Sequence, residues 1–129
     1  MPVPTDRTSW RPDPLNAECP SRAVIELIAD KWAILVLSAI AHGAHRNGEL
    51  MRRVGGISQK ALTRALRDLE TNGLVDRYDH GEIPPRVDYT LTVTGDSIVP
   101  LLTQLCDWAI VHMDDVTRAR ERSAVASAS

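Results

Sequence analysis

Residues 57–73 read ISQKALTRALRDLETNG, a helix signed at both ends. Ser58 follows the apolar Ile57 and offers a hydroxyl to the unsatisfied N–H groups of a first turn, as an N-cap does. Gly73 supplies the left-handed residue that stops a helix. Between these signals the spacing predicts a helix over 59–72. Leu62, Ala65, Leu66 and Leu69 recur at intervals of three and four and make its inward stripe. Gln59, Lys60, Thr63, Arg64 and Arg67 share the opposite face. Amide, hydroxyl and guanidinium groups on one helix face are the side chains that reach base edges and phosphates in a major groove.

Working upstream, Gly55 and Gly56 make a turn, and a short helix is predicted from about Asn47 to Arg53, with Leu50 and Val54 inward. Before it, Asp30 can cap a helix over 31–41 that is apolar nearly all round, through Trp32, Ile34, Leu35, Val36, Leu37, Ala39 and Ile40. Such a helix belongs at the centre of a core. Cys19 and Pro20 resemble a helix start with proline in the first turn, and that helix runs to about Ala29. Downstream, 74–80 and 86–92 read as two strands around the loop Gly81–Pro85, with Val87, Tyr89 and Leu91 alternating inward. Thr94 is the expected cap of a long last helix reaching about Arg120. Its apolar stripe comprises Ile98, Leu101, Leu102, Leu105, Trp108, Ala109, His112 and Met113, which is more surface than a small domain can cover, and self-association is expected there.

The order helix, helix, short helix, turn, helix, two strands, long helix is that of a winged helix-turn-helix. The fold is mainly α with a small β wing, an N-terminal helix and a long C-terminal dimerisation helix. Three segments are expected: an extended or disordered arm over 1–17, the folded domain over 18–122, and a disordered tail over 123–129. Five of the eight prolines fall in the first twenty residues, which supports the arm.

Charge sharpens the functional reading. The net charge is −2, yet from Arg46 to Arg67 six basic residues stand against the single acid Glu49. The expected partner is double-stranded DNA. The candidate contacts are Ser58, Gln59, Lys60, Thr63, Arg64 and Arg67, with Arg46 and Arg53 flanking, and His80 and Arg86 on the wing over 80–86, against backbone or minor groove. The alternative is a winged-helix protein-interaction module without a DNA target. An enzyme is disfavoured: His42, His45 and Glu49 straddle a glycine rather than share one helix face, and no phosphate loop or paired Cys-x2-Cys ligand set is present. No metal and no cofactor are expected. The longest apolar run, Trp32 to Ile40, is far short of the ~20 residues of a membrane span. The first residues lack the apolar stretch of a secretory signal, and cytoplasm is the expected location.

Three stretches together resemble one family. CPSRAVIELIADKWAILVLSAI (19–40), RNGELMRRVGGISQKALTRALRDLETNGLVDR (46–77) and EIPPRVDYTLTVTG (82–95) look like the HxlR family of bacterial regulators, relatives of the MarR group, with the resemblance running from 19 to about 113. It implies a homodimer built through the first and last helices, about 19–29 and 94–120, on a pseudo-palindromic operator. Two-fold symmetry sets the half-sites about 34 to 36 Å apart, or a multiple of that. Some HxlR-type regulators resemble redox or electrophile sensors with a cysteine in the place of Cys19, where a helix dipole favours the thiolate. An unidentified small-molecule effector between the long helices is the other signal considered. Cys106, in apolar surroundings, is expected in the core.

Overall fold

A computed structural model of the chain describes residues 12–128, so most of the expected arm, residues 1–11, lies outside the described residues. The elements are α1 (Pro20–Ala29), α2 (Lys31–Ala41), α3 (Asn47–Arg53), α4 (Gln59–Thr71), β1 (Val75–Asp79), β2 (Val87–Leu91) and α5 (Val93–Ala128). At the end of the expected arm, residues 14–18 form turns: Asp13 and Asn16 each accept a backbone N–H two residues on, at 3.0 Å. Short side-chain acceptors of this kind fix a turn without help from a core.

Asp30 ends α1 and begins α2. Its extended backbone breaks the helix, and its carboxylate accepts from Trp32 N at 2.9 Å and Ala33 N at 3.2 Å. α2 packs against α1, α3, α4, α5 and β2, the central place its apolar sequence calls for. Val36, Leu37, Leu50, Leu62, Leu69 and Val75 are the most deeply buried large side chains, and no polar or charged residue is buried among the described residues. Leu35 is the exception on α2, with 42% of its surface exposed.

α4 ends as its sequence predicts. Gly73 has φ +76, and the bonds Leu74 N to Leu69 O and Gly73 N to Glu70 O close a Schellman motif, with Asn72 as the C-cap. The chain then turns into an antiparallel hairpin registered Val75↔Leu91 to Asp79↔Val87. A two-stranded hairpin alone is marginal, and this one is anchored twice. Val75 is buried in the core, and Tyr89 N donates to His45 O at 2.7 Å, so the segment before α3 pairs locally with β2.

Two expectations for the last helix are corrected. The cap is Thr92, not Thr94: its hydroxyl accepts from Gly95 N at 3.0 Å and donates to Gly73 O at 2.6 Å, tying the helix start to the end of α4. The helix also continues beyond Arg120 through Ala128, where a disordered tail was expected. Residues 123–128, SAVASA, contain no glycine or proline, and alanine is the best helix former, so nothing in them ends a helix already under way.

Candidate nucleic-acid interface

The α3–α4 pair is built from its turn outward. Gly56, at φ +81, supplies a left-handed turn residue, and Val54 and Ile57 on either side are buried. Ser58 then caps α4 by accepting from Ala61 N at 3.0 Å. Leu62, Ala65, Leu66 and Leu69 face inward, which leaves Gln59, Lys60, Thr63, Arg64 and Arg67 exposed on the outer side together with Ser58.

These side chains are not equally available. Gln59 exchanges two hydrogen bonds of 2.8 Å with the amide of Asn47 and donates to Thr63 Oγ1 at 3.1 Å, so it braces the start of α3 against α4. Arg64 leans to the other flank, where Nη2 lies 3.7 Å from Asp30 Oδ2, with both side chains well exposed. A surface pair of that kind stabilises by about 0–1 kcal/mol, so Arg64 is readily released to a stronger anion. Lys60 and Arg67 make no ion pair with a described residue. Arg67 borders a cleft between α4 and the hairpin that Asn47, Thr63, Glu70, Arg77 and Tyr89 also line.

At the wing base three of the expected contacts converge on a residue that was not among them. Asp88 accepts from His80 Nε2 at 3.1 Å and Arg86 Nη2 at 3.4 Å, and Arg46 Nε stands 3.5 Å from its other oxygen. The hydrogen bond from His80 is the largest influence holding this carboxyl below its ordinary range. Partial burial opposes it, and the bond and charge of Arg86 add to it. Arg46 thus joins the wing to the N-cap of α3, next to Asn47 and its bond to Gln59.

Arg53 is the expected contact that the fold separates from this face. It lines clefts on the side of α2 and α5, with His42, Val54 and Cys106, and no α4 residue borders them. Asp88, Asn47 and Arg77 border the clefts on this side and were not among the expected contacts, whereas Arg52 was counted only in the basic stretch from Arg46 to Arg67. Arg52 shares a cleft with Arg46, Arg86 and Asp88. Asp88 alternates outward between Val87 and Tyr89, two residues from Arg86, a pattern that marks a same-face pair on a strand.

Elsewhere, Cys19 is half-buried at the start of α1. Its sulfur lies 3.1 Å from Ser21 Oγ and accepts from Asp13 N at 3.3 Å. Hydrogen bonding by Ser21, then by the Asp13 amide, lowers the thiol below its ordinary value, against burial and the Asp13 charge. Cys106 is exposed, which corrects its expected place in the core: it lies on the flank of α5 beside an open cleft bordered by Leu35 and His42. His42 and His45 each bond a backbone carbonyl, of Ser38 and Tyr89 respectively, and no three described His, Cys, Asp or Glu side chains are grouped to hold a metal ion.

On α5 the apolar stripe divides. Leu102 is only 3% exposed and Ile98 packs on the same core, so both serve the fold of one chain rather than a free face. Leu101, Leu105, Trp108, Ala109 and Met113 are exposed, and the half-buried His112 ring stacks on Trp108 at 4.4 Å. Val24 and Ile25 of α1 are exposed as well. No helix among the described residues is long and apolar enough to cross a membrane.

A helix pair with a basic outer face, followed by a two-stranded wing, defines a winged helix-turn-helix, DNA-binding transcription regulator. The chain belongs to the HxlR-like helix-turn-helix family, whose sequence model matches residues 27–117. It is 35% identical over 107 residues to the HTH-type transcriptional regulator YtfH of Escherichia coli K12, covering 83% of this chain and 85% of that one. Among solved structures, the transcriptional regulator ytfH of Salmonella typhimurium superposes with a TM-score of 0.78 at 33% identity, over 86% of this chain and 99% of the other. The redox regulator HypR in its oxidised form gives 0.66 at 32% identity, over 72% and 96%.

Proposed function

We propose that the chain acts as a homodimeric, sequence-specific regulator that lays α4 in the major groove and sets the wing over 80–86 on backbone or minor groove. The observation that carries this reading is the division of α4. One face is sealed in the core by Leu62, Ala65, Leu66 and Leu69, and the other presents Lys60, Arg64 and Arg67 to solvent. Arg64 and Arg67 have the forked geometry that pairs with the O6 and N7 edge of guanine, Lys60 and Thr63 suit phosphate or a base edge, and Gln59 holds the turn. Homodimerisation rests on the exposed apolar residues of α5 and α1, an unpaired surface that a second copy would bury.

Thiol oxidation at Cys19 is the signal this reading favours. Its support is the lowered thiol at a helix start and the likeness to HypR, which is itself a redox regulator. Selection of bound duplexes from a random pool, with the protein reduced and oxidised in parallel, tests the whole reading. A pseudo-palindromic site bound differently in the two states supports it. Equal binding in both states, matched by Cys19→Ser, removes the thiol switch and leaves a small-molecule effector between the long helices.

A further inference from the structure

We propose that Asp88 is a positioning residue for DNA binding: one carboxylate clasps Arg46, His80 and Arg86, so that these side chains of the wing and of the start of α3 meet the duplex in a fixed arrangement. The inference rests on the DNA-binding reading above and assigns a role to a residue that carries the wrong charge to touch phosphate.

The geometry has three parts. Asp88 sits on β2, while His80 and Arg86 flank the wing loop and Arg46 is the N-cap of α3, so a single side chain gathers an imidazole and two guanidinium groups from separate parts of the fold. Among the described residues, Arg46–Asp88 is the only ion pair between the wing hairpin and the α3–α4 unit. The backbone bond from Tyr89 to His45 lies beside it, so the segment carrying Arg46 is already fixed against β2 and the clasp sets only the side chains.

The hold is strong enough to orient and weak enough to yield. Arg46 Nε is 3.5 Å from Asp88 Oδ1, and that oxygen has no hydrogen-bond partner among the described residues, so Arg46 is held by charge alone. Half of its side chain faces solvent, where a phosphate can compete. Two guanidinium groups against one carboxylate leave an excess positive charge of one. The groups facing His80 are Asp88, Arg86 behind it, Arg46 across the carboxylate and the ring of Tyr78 edge-on at 4.6 Å.

The test compares wild type, D88N, D88E and H80Q on a 30-base-pair duplex of random sequence and on the duplex that wild type selects from a pool. D88N frees one net positive charge and loses the clasp. Its salt slope on random duplex steepens by about 0.9, which is an advantage over wild type that shrinks about 3.5-fold between 50 and 200 mM salt. Its preference for the selected duplex over the random one falls. D88E restores both readouts, and H80Q, which removes the shortest of the three contacts to Asp88, lowers the preference for the selected duplex. An unchanged salt slope and preference in D88N, or a preference in H80Q like that of wild type, overturns the proposal. If D88N does not fold, D88E and H80Q decide it by the same criteria. Failure of wild type to bind either duplex counts against the DNA-binding reading instead.

Discussion

Asn47 and Gln59 face each other amide to amide across the turn, exchanging two hydrogen bonds of 2.8 Å that lock the start of α3 to the start of α4. A side chain committed to both donating and accepting is a strut before it is a reader of bases. Asn47→Ala and Gln59→Ala should therefore each lower stability by about 0.5–1.5 kcal/mol, and the double variant by little more than either one. Denaturant unfolding of the four proteins checks this. Additive losses would mean that the pair is not coupled.

Gly95 lies where α5 passes over the end of α4, and a Cβ there would overlap the carbonyl oxygen of Leu74, which also accepts the Thr92 amide. Backbone on the receiving side cannot rotate away. Gly95→Ala is expected to cost about 1 to 3 kcal/mol, read as a lower thermal midpoint with the same far-UV spectrum.

Asp88 carries a pH signature of its own. Its folded carboxyl is held below the ordinary 3.8, so in the window beneath that value the unfolded chain binds the proton more readily than the folded one. The stability from this group is complete above the unfolded value and is lost as pH falls through the folded one. Asp88→Asn removes that contribution, so the stability gap between wild type and variant, measured by urea unfolding, should close as pH drops below about 3.8. A gap that stays constant from neutral pH into that window would contradict the assignment.

The two sides of α5 should respond differently to substitution. Leu102 is sealed in the core, so Leu102→Ala is expected to cost about 2–5 kcal/mol of stability. Trp108 is 57% exposed, and on the homodimer reading proposed above Trp108→Asp should leave the fold intact and the chain monomeric where wild type is dimeric, as read by sedimentation equilibrium.

Much of the fold was legible because local signals and burial agreed. Ser58, Gly73 and the Leu62 to Leu69 stripe delimit α4 to within a residue, and Asp30 marks the break between α1 and α2. Errors arose where tertiary contacts decide. Thr92 outcompetes Thr94 as the cap because Gly73 O lies within its reach, a contact across 19 residues. Cys106 and Leu102 both lie on the broadly apolar start of α5, and only packing against α2 shows which one faces in. In the interface the outer face of α4 follows from helical spacing alone. The cluster at Asp88 does not, since it needs Arg46 brought to the wing by the His45–Tyr89 pairing.

The most direct test of the central claim is a salt titration of duplex binding by wild type and by Arg67→Ala and Lys60→Ala, on the duplex that wild type selects from a random pool. Wild type should lose affinity linearly in log salt, and each variant whose side chain holds a phosphate should lower that slope by about 0.9. A variant whose side chain reads a base should keep the slope and lose about 1–3 kcal/mol of preference for the selected sequence. Wild type without measurable duplex affinity at any salt, or variants that match it in both slope and preference, would contradict the assignment of α4 as the DNA-reading helix.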